Sequence, residues 1–232
     1  MKATSKLALA GLATIALATS SITAAQAHVS IIPGVTAAGS STEAITAGKS
    51  GVLNFRIGHG CTLALETTNP VTATSMVGTN WATKQFDVIV PVVATNAGAT
   101  IPKPAFVPGW TNSVVKNSDG TFTVSWIASA PAFYIPDAPA GNAGGKTFFD
   151  FGISIKWNAD QSGKTVFFPS KQTCEVDVPG KAAVKKNGKV KTAAIKARKF
   201  NIYNSWDVTD GSGADTVADN TEHNTAPSVT VK

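Results

Sequence analysis

The chain has 232 residues, of which 43% are hydrophobic and 15% are charged, so it is long and apolar enough to bury a sizeable core. Its 20 lysines and arginines oppose 14 acidic residues, and the formal net charge of +6 is mildly basic. Most of the excess is confined to one short segment, which argues against a nucleic-acid-binding surface across the whole molecule. No stretch after residue 27 approaches the roughly 20 apolar residues that a membrane-spanning helix needs.

The N-terminal segment has the pattern of a cleaved secretory signal peptide. Two early lysines form a positive start, and an apolar run follows from Leu7 to Ala18. Small residues at Ala25 and Ala27 then supply an A-x-A cleavage site. We therefore expect residues 1–27 to be removed on export, which leaves residues 28–232 as a single periplasmic or secreted domain.

Cleavage after Ala27 would make His28 the first residue of the exported protein. Its α-amine and its imidazole Nδ1 can then close a chelate ring on one metal ion, and nitrogen pairs of this kind suit Cu(II) best among the first-row divalent metals. The ordinary pKa of an α-amine is about 7.7–8.0, so the ion displaces its proton at modest cost near neutral pH. The only methionines are Met1 and Met76, which argues against a thioether site for Cu(I).

Two cysteines, Cys61 and Cys174, are present. In an exported chain the oxidising compartment favours a disulfide between them. The competing interpretation is a pair of soft metal ligands, although the spacing resembles no zinc motif. We favour the disulfide.

The rest of the chain has the signals of strands joined by turns. Runs rich in β-branched and aromatic residues alternate with turn clusters such as KNSDGT and NADQSGK. The runs are Val52–Ile57, Gln85–Val93, Thr121–Ile127, Phe148–Trp157 and Lys164–Pro169. This spacing predicts an all-β protein, namely an antiparallel β-sandwich of immunoglobulin-like or cupredoxin-like type with long loops. The polar tail from Asp207 to Lys232 is expected to be mostly loop, with a short closing strand at Ser228–Val231.

The segment KAAVKKNGKVKTAAIKARK, from Lys181 to Lys199, holds most of the positive charge. It contains no aromatic residue, which weakens an interpretation as a nucleic-acid site. Asn187-Gly188 stands between alternating residues and predicts a type I′ turn. We expect a basic hairpin or loop insertion here.

Motifs for common enzyme chemistry are missing from the sequence. No serine lies in a G-x-S-x-G elbow, and neither a P-loop nor a dinucleotide-binding pattern is present. The histidines are His28, His59 and His223. The expectation is therefore a protein that is not an enzyme.

A series of short segments forms an ordered pattern along the whole exported chain. They are HVSIIP from His28, AAGS at Ala37–Ser40, FRIGHGC at Phe55–Cys61, IPKPAFVPGW at Ile101–Trp110, FTVSW at Phe122–Trp126, VFFPSKQTCE at Val166–Glu175 and EHNTAPSVTV at Glu222–Val231. This collinear set resembles the YcnI-like copper-binding domain family of exported bacterial proteins. The segments FRIGHGC and VFFPSKQTCE are similar to that family's F-x-V-x-H-G-C and F-P-x-x-Q-x-C motifs.

The resemblance implies an exported β-sandwich that binds copper through its mature N-terminal histidine, with a glutamate and a tryptophan near the metal. His28 carries over directly, and Glu43 falls within one residue of the glutamate's place, although a second register puts Gly51 there. Phe168 stands where some members have the tryptophan. The implied cofactor is copper, with Cu(II) favoured, and the implied partner is another exported copper chaperone or a membrane copper transporter.

Two other classes of function stay open at this stage. A copper monooxygenase that acts on polysaccharides also begins with a chelating histidine, but it needs a second histidine, which here is His59 or His223. A structural or adhesion domain would use none of these residues. The H-G-C context of His59 favours the copper-binding interpretation, which is buffering or delivery of copper.

Overall fold

A computed structural model of the chain describes residues 29–34, 43–62, 80–136, 148–178, 180, 182–192, 194, 196–209, 215–216 and 221–232. The expected signal peptide, His28 and the AAGS segment lie outside these ranges and stay sequence predictions. The described residues form β-strands and short 3-10 helices, and none of their helices has the length and apolar character to cross a membrane.

The secondary structure follows the chain as a long series of strands. In chain order these are β1 Ser30–Pro33, β2 Ser50–Ile57, β3 Cys61–Thr62, β4 Asn80–Trp81, β5 Thr83–Val90, β6 Lys103–Pro104, β7 Trp110–Lys116, β8 Phe122–Ala128, β9 Phe149–Lys156, β10 Thr165–Phe167, β11 Ser170–Val178, β12 Val184–Lys186, β13 Lys189–Thr192, β14 Arg198–Val208, β15 Asp215–Thr216, β16 Thr221–Thr225 and β17 Ser228–Thr230. The 3-10 helices are Glu43–Ile45, Val92–Ala94, Pro131–Phe133 and Ala159–Gln161.

Two sheets form the body of the molecule. A four-stranded sheet has the order β1-β2-β9-β6, and a seven-stranded sheet has the order β15-β16-β14-β11-β5-β8-β7. Neighbouring strands in both sheets are antiparallel, apart from β14 and β16, which pair in parallel. Within the described ranges, three smaller two-stranded sheets, β3-β4, β10-β17 and β12-β13, accompany them.

Alternating burial along the strands explains why these sheets pack face to face. In β2 every second side chain is buried, so this strand has one apolar face. The apolar faces meet through aromatic rings, because the ring centroid of Phe151 in β9 lies 5.2 Å from those of Phe86 in β5 and Trp126 in β8. Such distances fall within the favourable range for aromatic pairs, about 4.5–7 Å. The expectation of an all-β, mainly antiparallel sandwich is confirmed.

A disulfide links the seven-stranded sheet to the short strand β3. Cys61 and Cys174 are bonded, with their Cα atoms 5.9 Å apart, inside the range of roughly 4.4–6.8 Å that a bridge allows. Both cysteines are fully buried, together with Val176 and Ile202. The expected disulfide is confirmed, and the alternative of two soft metal ligands is wrong because neither cysteine is free.

The basic segment contains a β-hairpin that forms a sheet of its own. Strands β12 and β13 pair across Asn187-Gly188, and both turn residues have positive φ, at 53° and 71°. Positive φ at both central positions is the geometry of the type I′ turn that this dipeptide predicts. Exposed side chains of this hairpin include Val184, Lys185, Lys189 and Val190.

The C-terminal tail is more regular than the expectation of a mostly looped segment. Strand β16 pairs in parallel with β14, and β17, which matches the expected closing strand, pairs with β10. The sequence TEHNT of β16 lacks apolar alternation, so its strand conformation comes from the neighbouring edge of β14 rather than from its own pattern. The expectation for the tail is therefore corrected at β16.

Candidate functional site

The described chain begins at Val29, directly after the expected first copper ligand. Val29 is buried in the core at 6% exposure, and Ser30 pairs with Arg56 near the end of β2. Two hydrogen bonds of 2.8 Å run from the Arg56 guanidinium to the Asp150 carboxylate on β9. The guanidinium carbon also lies 3.6 Å from the centroid of the Phe148 ring. Strand β1 is thus held at the sheet edge beside a fixed ion pair.

Glu43 lies at the other end of β2. It begins the 3-10 helix Glu43–Ile45, and the next residue, Ala44, packs so closely on Gly51 that a Cβ at position 51 would overlap the Ala44 backbone. Gly51 and Arg56 are separated by about 17 Å of strand at 3.4 Å per residue. The structure therefore places Glu43 and Val29 at opposite ends of β2. Joint ligation by His28 and Glu43 stays a prediction, because His28 is outside the described residues.

The aromatic residue aligned with the family's tryptophan belongs to the core. Phe168 is fully buried, and its ring centroid lies 5.6 Å from that of Phe55 and 6.1 Å from that of Trp157. The indole Nε1 of Trp157 in turn donates a 2.8 Å hydrogen bond to the carbonyl of Ala44. All three rings belong to the main hydrophobic core, so their positions are explained by packing.

His59 is part of the structure around the disulfide. It is 5% exposed, and its Nδ1 lies 2.8 Å from the carbonyl oxygen of Gly60. The carbonyl of His59 accepts a 2.8 Å hydrogen bond from Nε2 of Gln172 on β11. The H-G-C segment therefore positions Cys61 against β11, which is a structural role.

Among the described residues, no three His, Cys, Asp or Glu side chains are grouped so that they could hold a metal ion. Glu43 is remote from Val29, and both cysteines are oxidised. An amine and an imidazole on one residue fit Cu(II) chemically.

A row of polar side chains crosses the outer face of the seven-stranded sheet. The strand register aligns Ser113, Ser125, Asp87, Lys171, Ser205 and His223 in that order across six neighbouring strands. The residues on either side of this row in β5 and β8, such as Val88 and Val124, point into the core. Sequence inspection missed the row because its members are far apart along the chain and meet only through strand register.

An open pocket of about 420 Å³ lies on this face, and we call it the outer-face pocket. Strands β5, β8, β11 and β14 supply almost all of its lining. It is lined by Gln85, Asp87, Ile89, Thr123, Ser125, Pro169, Ser170, Lys171, Ser205 and Asp207. Ser170 is 4% exposed, and its hydroxyl has no hydrogen-bond partner in the described structure.

Neighbouring side chains hold both carboxylates of the outer-face pocket. Nε2 of Gln85 donates to the two oxygens of Asp87 at 2.9 and 3.0 Å. Nδ1 of His223 lies 2.7 and 2.8 Å from the two oxygens of Asp207. The ammonium of Lys171 lies 5.5 Å from the ring centroid of Tyr203 on the same face. Both acids therefore have a defined orientation.

Comparison with known proteins finds a similar solved structure. No family description matches the chain, and no curated protein matches it. Among solved structures it is similar to the crystal structure of an uncharacterized protein from Nocardia farcinica, described as having an immunoglobulin-like fold. The identity is 18%, the match covers 81% of this chain and 91% of that chain, and the TM-score is 0.42. A similarity this low bears on neither the function nor the site.

Proposed function

We propose that this chain is an exported copper-binding protein that buffers copper or delivers it to an acceptor. The metal is Cu(II), held by the α-amine and the imidazole Nδ1 of His28. The observation that carries the proposal is the position of His28, which follows the A-x-A cleavage site and stands two residues before Ser30, where β1 begins. Cleavage therefore creates a chelating residue one peptide bond away from Val29, which is buried next to the start of β1.

The burial of Val29 supports this proposal energetically. One peptide bond joins His28 to Val29, so their Cα atoms are about 3.8 Å apart, and Val29 is buried in the core. A chelating group attached to a fixed strand loses less conformational freedom on binding than one at the end of a flexible arm. Copper affinity is then higher than that of a free peptide with the same first residues.

The disulfide supports the proposed compartment. A buried Cys61–Cys174 bridge is typical of proteins that fold outside the cytoplasm. It also leaves copper ligation to nitrogen and oxygen donors, since neither thiol is available. Nitrogen donors without thiolate suit Cu(II), and an exported copper chaperone or a membrane copper transporter is the corresponding partner.

The test compares three preparations of the protein in Cu(II) titrations followed by calorimetry and electron paramagnetic resonance. The first begins at His28. The second carries several Gly-Ser repeats before His28, so that its own amine is too far along the chain to reach the same ion. The third is His28→Ala with correct processing. We expect one tightly bound copper in the first and at least about tenfold weaker binding in the other two. The extension converts the amine of His28 to an amide, whose nitrogen is a poor donor unless it is deprotonated, and His28→Ala removes the imidazole.

Matched controls separate this site from other donors. His223→Ala should leave the copper affinity unchanged, because that imidazole lies on the outer face of the other sheet. Glu43→Gln tests the second ligand, since the family resemblance predicts weaker binding and the remote position of Glu43 predicts no change. Equal affinity in the processed and extended proteins would overturn the proposal that the N-terminal chelate binds copper.

A further inference from the structure

We propose that the outer-face pocket binds a neutral polyhydroxylated ligand, namely a sugar or a short glycan. This site is separate from His28 and does not depend on copper. Its volume of about 420 Å³ lies within the range of about 300–1,000 Å³ that is usual for small-molecule sites. Because the pocket is open and lies on a sheet, it can accept one part of a longer chain.

The two carboxylates give the pocket strong, directed hydrogen-bond acceptors. Asp87 is held by Gln85 and Asp207 by His223, through four contacts of 2.7–3.0 Å. A carboxylate has about four lone-pair sites, so each acid keeps acceptors free after these contacts. Adjacent hydroxyls of a sugar ring can donate to such an acceptor, and the fixed orientation lowers the entropic cost of binding.

The remaining polar groups of the lining suit hydroxyls equally well. Lys171 can only donate, whereas the hydroxyls of Thr123, Ser125 and Ser205 can donate or accept. A sugar hydroxyl also does both, so it can pair with every one of these groups. The apolar atoms of Ile89 and Pro169 complete the lining and match the carbon face of a sugar ring.

The charges of the pocket exclude an anionic ligand class. Two carboxylates and a single lysine lie in its lining, so phosphate, sulfate and polyanionic chains meet net repulsion. A polyamine carries only donors, so it would leave the ammonium of Lys171 in the lining without an acceptor. A neutral ligand rich in hydroxyls is the class that satisfies donors and acceptors without introducing an unpaired charge.

The experiment is a titration of copper-free, ¹⁵N-labelled mature protein with cellohexaose, xylohexaose and chitohexaose, followed by amide NMR. We expect saturable shifts at Asp87, Ser125 and Ser205 with at least one of these neutral probes. Heparin oligosaccharide and spermidine serve as the anionic and cationic probes and should shift these amides less. Since no copper is present, this result is independent of the proposed function.

Two variants and one matched control make the location falsifiable. Ser125→Trp should fill the pocket and lower the affinity at least about tenfold, or about 1.4 kcal/mol, and Asp87→Asn should also lower it while preserving side-chain shape. Asp177→Asn changes an exposed acid on the same strand as Lys171, outside the lining, and should bind normally. The proposal fails if no neutral probe binds at millimolar concentration, if a charged probe binds the pocket more tightly, or if Asp87→Asn binds as well as the unmodified protein.

Discussion

His223 and Asp207 are paired through one ring nitrogen and both oxygens of one carboxylate, at 2.7 and 2.8 Å. The parallel pairing of β16 with β14 brings the two residues together on the outer face of the sheet. An ionised carboxylate only accepts hydrogen bonds, so Nδ1 carries the hydrogen. In the neutral imidazole, Nε2 then keeps its lone pair and faces away from Asp207.

This geometry predicts the tautomer of His223. In ¹⁵N spectra of the unmodified protein, the neutral ring of His223 should carry its hydrogen on Nδ1, because the Asp207 carboxylate accepts a hydrogen bond from that atom. Asp207→Ala should remove the preference, whereas Asp119→Asn, which removes the same charge at a distant turn, should leave it intact. The same tautomer in the unmodified protein and in Asp207→Ala would contradict the assigned hydrogen bond.

A second prediction concerns the disulfide, which closes a loop with a sequence separation of 113. In the chain-entropy model, closing such a loop stabilises the fold by about 4–5 kcal/mol, and measured values are typically about 2–4 kcal/mol. Reduction, or Cys61→Ala with Cys174→Ala, should therefore lower the free energy of unfolding by several kcal/mol in denaturant titrations. Thiol labelling of the denatured, unreduced protein should find no reactive thiol, and two labelled cysteines would contradict the bridge.

A third prediction compares two nearby glycines. A Cβ at position 60 would overlap the carbonyl oxygen of Trp81, whereas a Cβ at position 58 meets nothing within 4 Å. Gly60→Ala should destabilise the protein by about 1–3 kcal/mol or more, because the backbone of β4 must shift. Gly58→Ala should stay within about 0.5 kcal/mol of the unmodified protein. Equal thermal midpoints for the two variants would show that the H-G-C segment adapts freely.

A fourth prediction concerns the pH dependence of stability. The Lys199 ammonium, 2.9 Å from Glu175, lowers the pKa of that carboxyl, and Lys84 at 3.7 Å adds to the effect. Since the folded pKa is below the ordinary value of about 4.3, this stabilisation is present above the ordinary pKa and is lost as pH falls through the folded pKa. Lys199 is 60% exposed, so added salt should weaken the effect.

The measurement is the difference in thermal midpoint between the unmodified protein and Glu175→Gln across a pH series. It should be positive at neutral pH and shrink in acid below about pH 4.3. High salt should reduce the difference at neutral pH. A difference that stays constant from neutral to strongly acidic pH would show that the side chain acts through its shape instead of its charge.

The sequence predicts elements whose signal is local. Val52–Ile57 alternates between buried and partly exposed side chains and lies within β2, and the Asn187-Gly188 turn has the backbone that its residues favour. The ends of strands are predicted less accurately. The run Gln85–Val93 predicts a strand throughout, but β5 ends at Val90. Pro91 follows and has no N–H for a strand ladder, and a 3-10 helix begins at Val92.

Sites assembled from distant strands are not visible in the sequence. The outer-face pocket brings Asp87 from β5 together with Asp207 from β14, and their proximity depends on the register of β11 between them. One residue of slip would turn every side chain of a strand to the other face. Likewise, the motif spacing that suggested Glu43 contains no information on which end of β2 it reaches. The three-dimensional path of the chain decides this.

The central position of β11 also has a kinetic consequence. This strand lies between β5 and β14 in the seven-stranded sheet, so Ser170–Val178 must be present before the halves on either side of it can join. A chain that passes through a membrane N-terminus first exposes the aromatic faces of β5 and β8 well before β11 emerges. Such late, long-range pairing is intrinsically slow, and during that interval the exposed faces can aggregate. Chaperones that bind unfolded chains should therefore improve the yield of this protein most after β8 has emerged and before Ser170–Val178 has emerged.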